Sequence, residues 1–595
     1  MTDHNAQCDS SNQVWHAFPR SQLNQRYGEI MTEVDSQALQ VAHREPDSEA
    51  RRAFDSLATV RPRQNALCPF FRIPTEILSE VFTLIAMDED EYLGCNADDY
   101  EDLAGVDIAK TNLGWVKVSH VCHMWREVAL STATLWGRIP FSLPKWIPVS
   151  LVRSRGAPLL IDYTFCDRQF YDSHPDTFYI ASALAELQRA KVLSLYGMAC
   201  RTSLQFLSTA LTSKSAPILE EFSLSLGAIR GADRPWTLPS NIFLNQSPRL
   251  RQLSISGPVL VPWTSHVFTG LTVLQIRDPA GASPSMEQMS SVLRHNPQLV
   301  ELLLTNSALP TSSSVSKPPI SLDRLERLHV EGSVLSCSLL ATLIVIPPST
   351  RVSIRTDDLD NHYDKARDTV TAFSSLLRPG CQTIDLSMSS MCSVLTLLAW
   401  DRPISPLQYH QPRDPLMSFM IARGQPHGLC DPSVLLSIER LVDFRELRRI
   451  FIMMNLSCAE EGLDTHHWNH LLKPCCEMRH VQITGQSSAT FLRSLSSRDD
   501  HQPSACGLDD GTFLPKLESV NLGGAKISAT DFTGFLDWAR RRKALGAPLK
   551  RLRLRGCDLR YTPASMCQAM QEEVVEFPYP DGSRYLDIVD GMRGV

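Results

Sequence analysis

Three groups of residues have the types and spacing to do chemistry. His466-His467-x-x-His470, followed by Cys475-Cys476, offers imidazole and thiolate ligands of the kind that hold zinc. The group lacks the C-x-x-C pair and the second half that structural zinc sites carry. Trp468, Leu471 and Leu472 interleave with it, so a core helix in front of the Met478 segment accounts for it better than a metal does. Arg540-Arg541-Arg542-Lys543 sets four cations in a row, fit for a phosphate or an acidic partner. At the end of a helix the same run is expected as a solvated terminus favoured by the macrodipole. Cys122 could serve as a nucleophile, but it falls on an apolar stripe, where a thiol stays protonated and inert. The chain contains no G-x-S-x-G, H-E-x-x-H, P-loop or G-x-G-x-x-G. An enzyme is therefore not expected, nor a cofactor, nor a metal.

The elements that must carry any function are more informative than these groups. The chain has 595 residues, mass for several domains or for one domain and a long repeat array. Apolar residues make up 43% and charged ones 21%, a globular balance, and the net charge of -7 gives no bias towards nucleic acid or acidic membranes. The start is polar and lacks the apolar core of a signal peptide. The longest apolar run, near Leu339–Ile346, is too short to span a bilayer. Sixteen cysteines spread over so long a chain without an export signal are expected as free thiols in the cytoplasm or nucleus.

Residues 1–65 are rich in Gln, Asn, Asp, Ser and Arg and show no sustained apolar period, so they are expected to be disordered apart from a short helix near Ala50–Ala58. Order begins near Leu67. Pro74 suits a first helical turn, and Ile77, Leu78, Val81, Phe82 and Ile85 follow at helical spacing. An acidic stretch, 88–102, contains no Lys or Arg and is expected as a solvated loop. Val118, Val121, Cys122, Trp125, Val128 and Ala129 then predict a second helix with a single apolar stripe.

Beyond about Arg189 a phrase recurs: an apolar residue, two variable ones, then apolar-x-apolar. It reads Leu219-Glu-Glu-Phe222-Ser-Leu224, and again from Leu250, Leu271, Leu299, Leu325, Leu447, Met478, Leu517 and Leu549. Several copies follow a proline: Pro217, Pro248, Pro297, Pro515 and Pro548. The alternation predicts a strand whose alternate residues enter one core, and each unit is too small to bury its face without a neighbour. Leu552 and Leu554 are expected inside, and Arg551 and Arg553 outside. Between the last copies, 531–545 predicts a crossover helix, with Thr530 as N-cap and Gly546-Ala547-Pro548 as its stop. Arg351-Val-Ser-Ile354 and Thr383-Ile-Asp-Leu386 look like degenerate strands, and 401–429 like an excursion loop.

In order, Ile73-Pro74-Thr75-Glu76-Ile77-Leu78, Val121-Cys122-His123-Met124-Trp125-Arg126 and Leu135-Trp136 resemble an F-box. Together with Leu113-Gly114-Trp115 and Ser154-Arg155-Gly156-Ala157-Pro158-Leu159, they are similar to the large fungal F-box-like family, which is often followed by irregular leucine-rich repeats. Ile73 stands where that family usually has Leu, and the acidic stretch is an insertion. The resemblance covers Leu67 to about Arg138. It implies an α/β protein: a three-helix F-box-like module over 66–145, then an irregular leucine-rich-repeat-like solenoid over 146–575 and a tail, 576–595.

The resemblance also implies a function. Pro74, Ile77, Leu78, Val81, Phe82, Val121, Cys122 and Trp125 would dock on a Skp-type adaptor and through it on a cullin, and the repeats would bind an unidentified target protein. Nucleic acid and membrane are not expected partners. Two alternatives stay open: the same eight residues as core alone, and the helices as a cap on a ligase-independent repeat scaffold.

Overall fold

The computed structural model describes residues 73–88, 114–141, 143–165, 175–197, 201–227, 235–311, 318–356, 381–389, 394–404, 415–422, 444–455, 463–485, 487–496, 513–524, 526–557 and 564–574. The expectations for 1–65, for the acidic stretch beyond Asp88 and for 576–595 lie outside these residues, as does most of the 401–429 excursion. The fold is mixed α/β, built on one long, mainly parallel sheet. Two compact units divide the chain. One comprises residues 1–136 with 152–155; the other comprises 137–151 with 156–595.

In the larger unit, fifteen strands join in one sheet. They are β1 (Leu159–Phe165), β2 (Ala190–Gly197), β3 (Glu221–Leu226), β4 (Gln252–Ser256) and β5 (Val273–Arg277). Next come β6 (Glu301–Thr305), β7 (Arg327–Gly332), β8 (Arg351–Thr356), β9 (Thr383–Ser389) and β10 (Val394–Trp400). Last are β11 (Met417–Ala422), β12 (Arg449–Asn455), β13 (His480–Gly485), β14 (Ser519–Gly523) and β15 (Arg551–Arg555).

Strand order follows chain order except in the middle, where β8 is followed by β11, β10, β9 and then β12. Only β10 runs against the rest: it is antiparallel to both β9 and β11, while β8–β11 and β9–β12 are parallel. Both degenerate phrases are therefore strands, and the 401–429 excursion is corrected, since it contributes β11. A reversed strand fits because strand alternation has no direction. Ala399 and Leu397 of β10 fill the inward positions between Met417 and Phe419 of β11 and Ile384 and Leu386 of β9.

The recurring phrase is the cause of this sheet. Its first residue is buried in every copy, from Leu219 to Leu549. Its last two apolar residues form two ladders, one through Phe222, Leu253, Leu274 and Leu302, the other through Leu224, Ile255, Ile276 and Leu304. Both ladders continue to Leu552 and Leu554 at the far edge. Leu552 is buried as expected, but Leu554 on the last strand is only half-buried.

Helices cross between strands, among them Met286–Arg294, Thr465–Leu472, Ser487–Ser496 and Ala529–Ala544; the last two pack side by side. The cap of Ala529–Ala544 is Ser528, not Thr530. Ser528 Oγ accepts the Asp531 N–H at 3.2 Å and Asp531 answers on the Ser528 N–H, so the reciprocal box forms two residues earlier. Gly546 ends the helix with a φ of 77°, as its sequence position implied. At the close of β13, Gly485 has a φ of 114°, and a Cβ there would lie 1.9 Å from the Met454 carbonyl oxygen, which no other residue would tolerate.

Within the larger unit, a buried polar side chain ties the turns that lead into β5 and β6 together. Asn296 is fully buried; its Oδ1 accepts the Leu271 N–H at 2.7 Å, and its Nδ2 donates to the carbonyls of Phe268 (2.8 Å) and Val292 (2.7 Å). Asn296→Leu is expected to cost about 3 kcal/mol, because three buried backbone groups lose a partner at once. A urea midpoint within error of the unsubstituted protein would show that water replaces the amide.

Candidate functional site

The eight candidate docking residues fall in the smaller unit. Helix α1 spans Thr75–Asp88 and helix α2 spans His123–Ser131. Apolar residues cover a broad sector of α1, opposite a polar side of Glu76, Ser79, Glu80 and Thr83. Leu78 and Phe82, one turn apart, are buried, and the Phe82 ring lies 5.2 Å from that of Trp125 on α2. Trp115 and Trp136 meet edge to face at 5.1 Å, and the Trp136 indole N–H donates to the Ala129 carbonyl at 3.0 Å. These contacts make a small aromatic core.

The rest of the α1 apolar set points outward. Ile77 is 52% exposed, Val81 41%, Leu84 61% and Ile85 37%. Spaced i, i+4, i+7 and i+8, they form one continuous stripe. Val121 is also exposed, Pro74 is exposed, and Cys122 and Trp125 are half-buried. Leu78 and Phe82 are thus corrected from candidate contacts to core, because their side chains have no surface to offer a partner. Leu84 was missed, although its spacing from Ile77 and Val81 signalled it.

The second helix is also corrected. Gly114–His120 is a 3-10 turn, and α2 begins only at His123. Cys122 breaks the run with extended backbone (φ -159°, ψ 170°), and its Sγ caps α2 by accepting the Trp125 N–H at 3.4 Å. Valine 121 therefore leaves the stripe that a single helix would have given it.

No protein-family model and no curated protein matches this chain. The family remains a resemblance carried by the quoted residues.

Elsewhere the chemistry-bearing groups have structural employment. In the His466–Cys476 group, Trp468, Leu471 and Leu472 are buried, and His467 completes a capping box with Asp464. Burial pushes the Cys475 thiol far up, and that of Cys381 up to about 12. Five described cysteines carry free thiols, but Cys476 is disulfide-bonded, which corrects the expectation of free thiols throughout. No group of three or more metal-ligating side chains occurs among the described residues.

Ser353, His329 and Glu331 have the composition of a hydrolytic triad: His329 Nδ1 is 3.0 Å from Ser353 Oγ, and Nε2 is 3.7 Å from Glu331. They sit on the outward face of β7 and β8, where His329 and Ser353 are direct cross-strand neighbours. Strand N–H groups lie in the plane of the sheet, so none rises to hold an oxyanion above Ser353. Arg355 also draws on Glu331, at 3.6 Å. The trio is a polar cross-strand network.

Arg542 departs from the rest of its basic run. Arg540, Arg541 and Lys543 are exposed, whereas Arg542 is 1% exposed. Its guanidinium donates to the carbonyls of Leu514 (2.9 Å), Pro515 (3.0 Å) and Leu517 (2.9 Å) and lies over the Trp538 ring. Burial pulls its pKa down to about 10, so it is still charged at neutral pH.

Proposed function

We propose that the protein is a substrate-recognition adaptor of a cullin–RING ubiquitin ligase, with the α1–α2 unit docking on a Skp-type adaptor and the larger unit binding the target. The supporting observation is the exposed stripe Ile77, Val81, Leu84 and Ile85, on the helix that carries the F-box-like Pro-Thr-Glu-Ile-Leu phrase. A stripe of large apolar residues in water beside an already filled core is a surface suited to a partner. The larger unit is taken as an irregular leucine-rich-repeat solenoid, each unit stacking a strand and its connection on the next. Such a receptor supplies geometry: it holds a target lysine near a charged ubiquitin carrier and raises their effective concentration. The expected location is the cytoplasm or nucleus. No helix among the described residues is long and apolar enough to cross a membrane.

Co-purification of the full chain with a Skp-type adaptor tests this function. Ile77→Asp with Val81→Asp is expected to cut recovery at least about tenfold, which requires only about 1.4 kcal/mol. Val152→Asp, a 76% exposed valine outside the stripe, is expected to change nothing. A folded, unsubstituted chain that fails to bind the adaptor at micromolar concentration would leave the ligase-independent scaffold in its place.

A further inference from the structure

Charge is unevenly distributed along the sheet. Strands β12 to β15, each with the residue before it, contain Arg448, Arg449, Arg479, Lys550, Arg551, Arg553 and Arg555, seven strong cations, against a single acid, Glu518. The N-terminal strands are balanced: counted the same way, β1 to β8 hold seven cations and six acids, among them Glu220, Glu221, Glu301, Glu326 and Glu331.

Register decides where these cations stand. In β15, Arg551 and Arg553 alternate with buried Leu552, so they occupy the face opposite the core. Arg449, His480, Ser519 and Arg551 form one cross-strand row on that face; Phe451, Gln482, Asn521 and Arg553 form the next; Met453, Thr484, Gly523 and Arg555 form the third. Within the middle row the Asn521 amide donates to Gln482 at 3.1 Å. Met453 is 53% exposed and Phe451 half-buried. The face thus combines cations, amides and an apolar edge.

The field there is cationic in its effect on a neighbour. His480 is held down to about 4, first by burial and then by Arg449, Arg551 and Arg479, with Glu518 opposing. Glu518 is already shared between Arg479 at 3.7 Å and Lys550 at 3.1 Å. Arg551, Arg553 and Arg555 also have partners of their own, and the excess is a property of the four strands together.

We infer that the outward face of β12–β15 binds an acidic, extended protein segment that carries an apolar residue for Met453 and Phe451. Strands lie about 4.8 Å apart, so the row from Arg449 to Arg551 spans about 14 Å, which some four or five extended residues cover. A carboxylate-bearing peptide matches this face better than nucleic acid does: the aromatic side chains in the three rows are Phe451 and His480, both half-buried, and a stacking platform would need exposed rings. As a target surface the face rests on the receptor function proposed above; as an acidic-segment site it does not.

Fluorescence anisotropy on the full chain tests the inference, with a short labelled Glu/Asp/Leu peptide, its Lys/Leu counterpart and a labelled single-stranded oligonucleotide. The acidic peptide is expected to bind, with affinity falling as salt rises, because exposed charges are screened. Arg551→Glu with Arg555→Glu is expected to weaken it at least about tenfold, and Met453→Ser severalfold with the salt dependence kept. All three positions are on the surface face, and an unchanged circular dichroism spectrum checks the fold. Acidic and basic peptides binding alike, or charge reversal without effect, would overturn the inference; tighter binding of the oligonucleotide would reassign the face to nucleic acid. Adaptor co-purification of the same variants is expected to be unchanged, so failure here and failure of the ligase function are read separately.

Discussion

Arg542→Ala is expected to lower the stability of the sheet-bearing unit by about 3–5 kcal/mol, the scale for losing several buried hydrogen bonds together with a large packed side chain. Three carbonyls, of Leu514, Pro515 and Leu517, accept from this one guanidinium, and that of Leu514 also accepts the Leu517 N–H at 3.1 Å. They belong to the segment that leads into β14, and they turn inward because Leu514 and Leu517 must be buried there. Alanine strips the carbonyls of Pro515 and Leu517 of this partner, leaves that of Leu514 only its backbone bond, and opens space beside Trp538. Arg542→Lys is expected to recover only part of the loss, since a single ammonium nitrogen cannot reproduce a planar fork. Arg541→Ala, one residue away and exposed, is expected to stay within about 0.5 kcal/mol. The readout is the urea midpoint of the full chain by circular dichroism; equal shifts for Arg541→Ala and Arg542→Ala would refute the assignment.

Phe82→Ala is expected to cost about 3–5 kcal/mol and to abolish the protease resistance of the α1–α2 unit, whose small core this ring joins to α2. Its ring is fully buried and packs on Trp125. Val81→Ser, its immediate neighbour, faces outward and is expected to leave folding intact. Loss of adaptor binding with Phe82→Ala or Leu78→Ala would therefore report unfolding, whereas loss with Ile77→Asp or Val81→Asp would report a lost contact. Limited proteolysis of both variants separates the cases, and equal sensitivity of Phe82→Ala and Val81→Ser would show that the two faces of α1 are not distinct.

The sequence by itself determined the strands. A phrase in which apolar residues alternate can satisfy only one face, and that constraint, repeated from Leu219 to Leu549, set the register of most of the sheet. It also carried the crossover helix before Leu549 and its glycine stop, since caps and stops act through neighbouring residues. Tertiary structure decided what depends on distant partners. The hairpin that inserts β10 backwards between β9 and β11 is invisible to a directionless alternation of residues. The split of α1 into a buried pair and an exposed stripe could not be read from an apolar sector too broad to name the side that meets the core. Whether Leu78 or Ile77 faces the core depends on where Trp125 lies, and Trp125 is placed by a break at Cys122. Arg542 is the sharpest case: four adjacent cations look alike in sequence, and one becomes a buried anchor because its turn of the helix meets three carbonyls that only the packed neighbour presents.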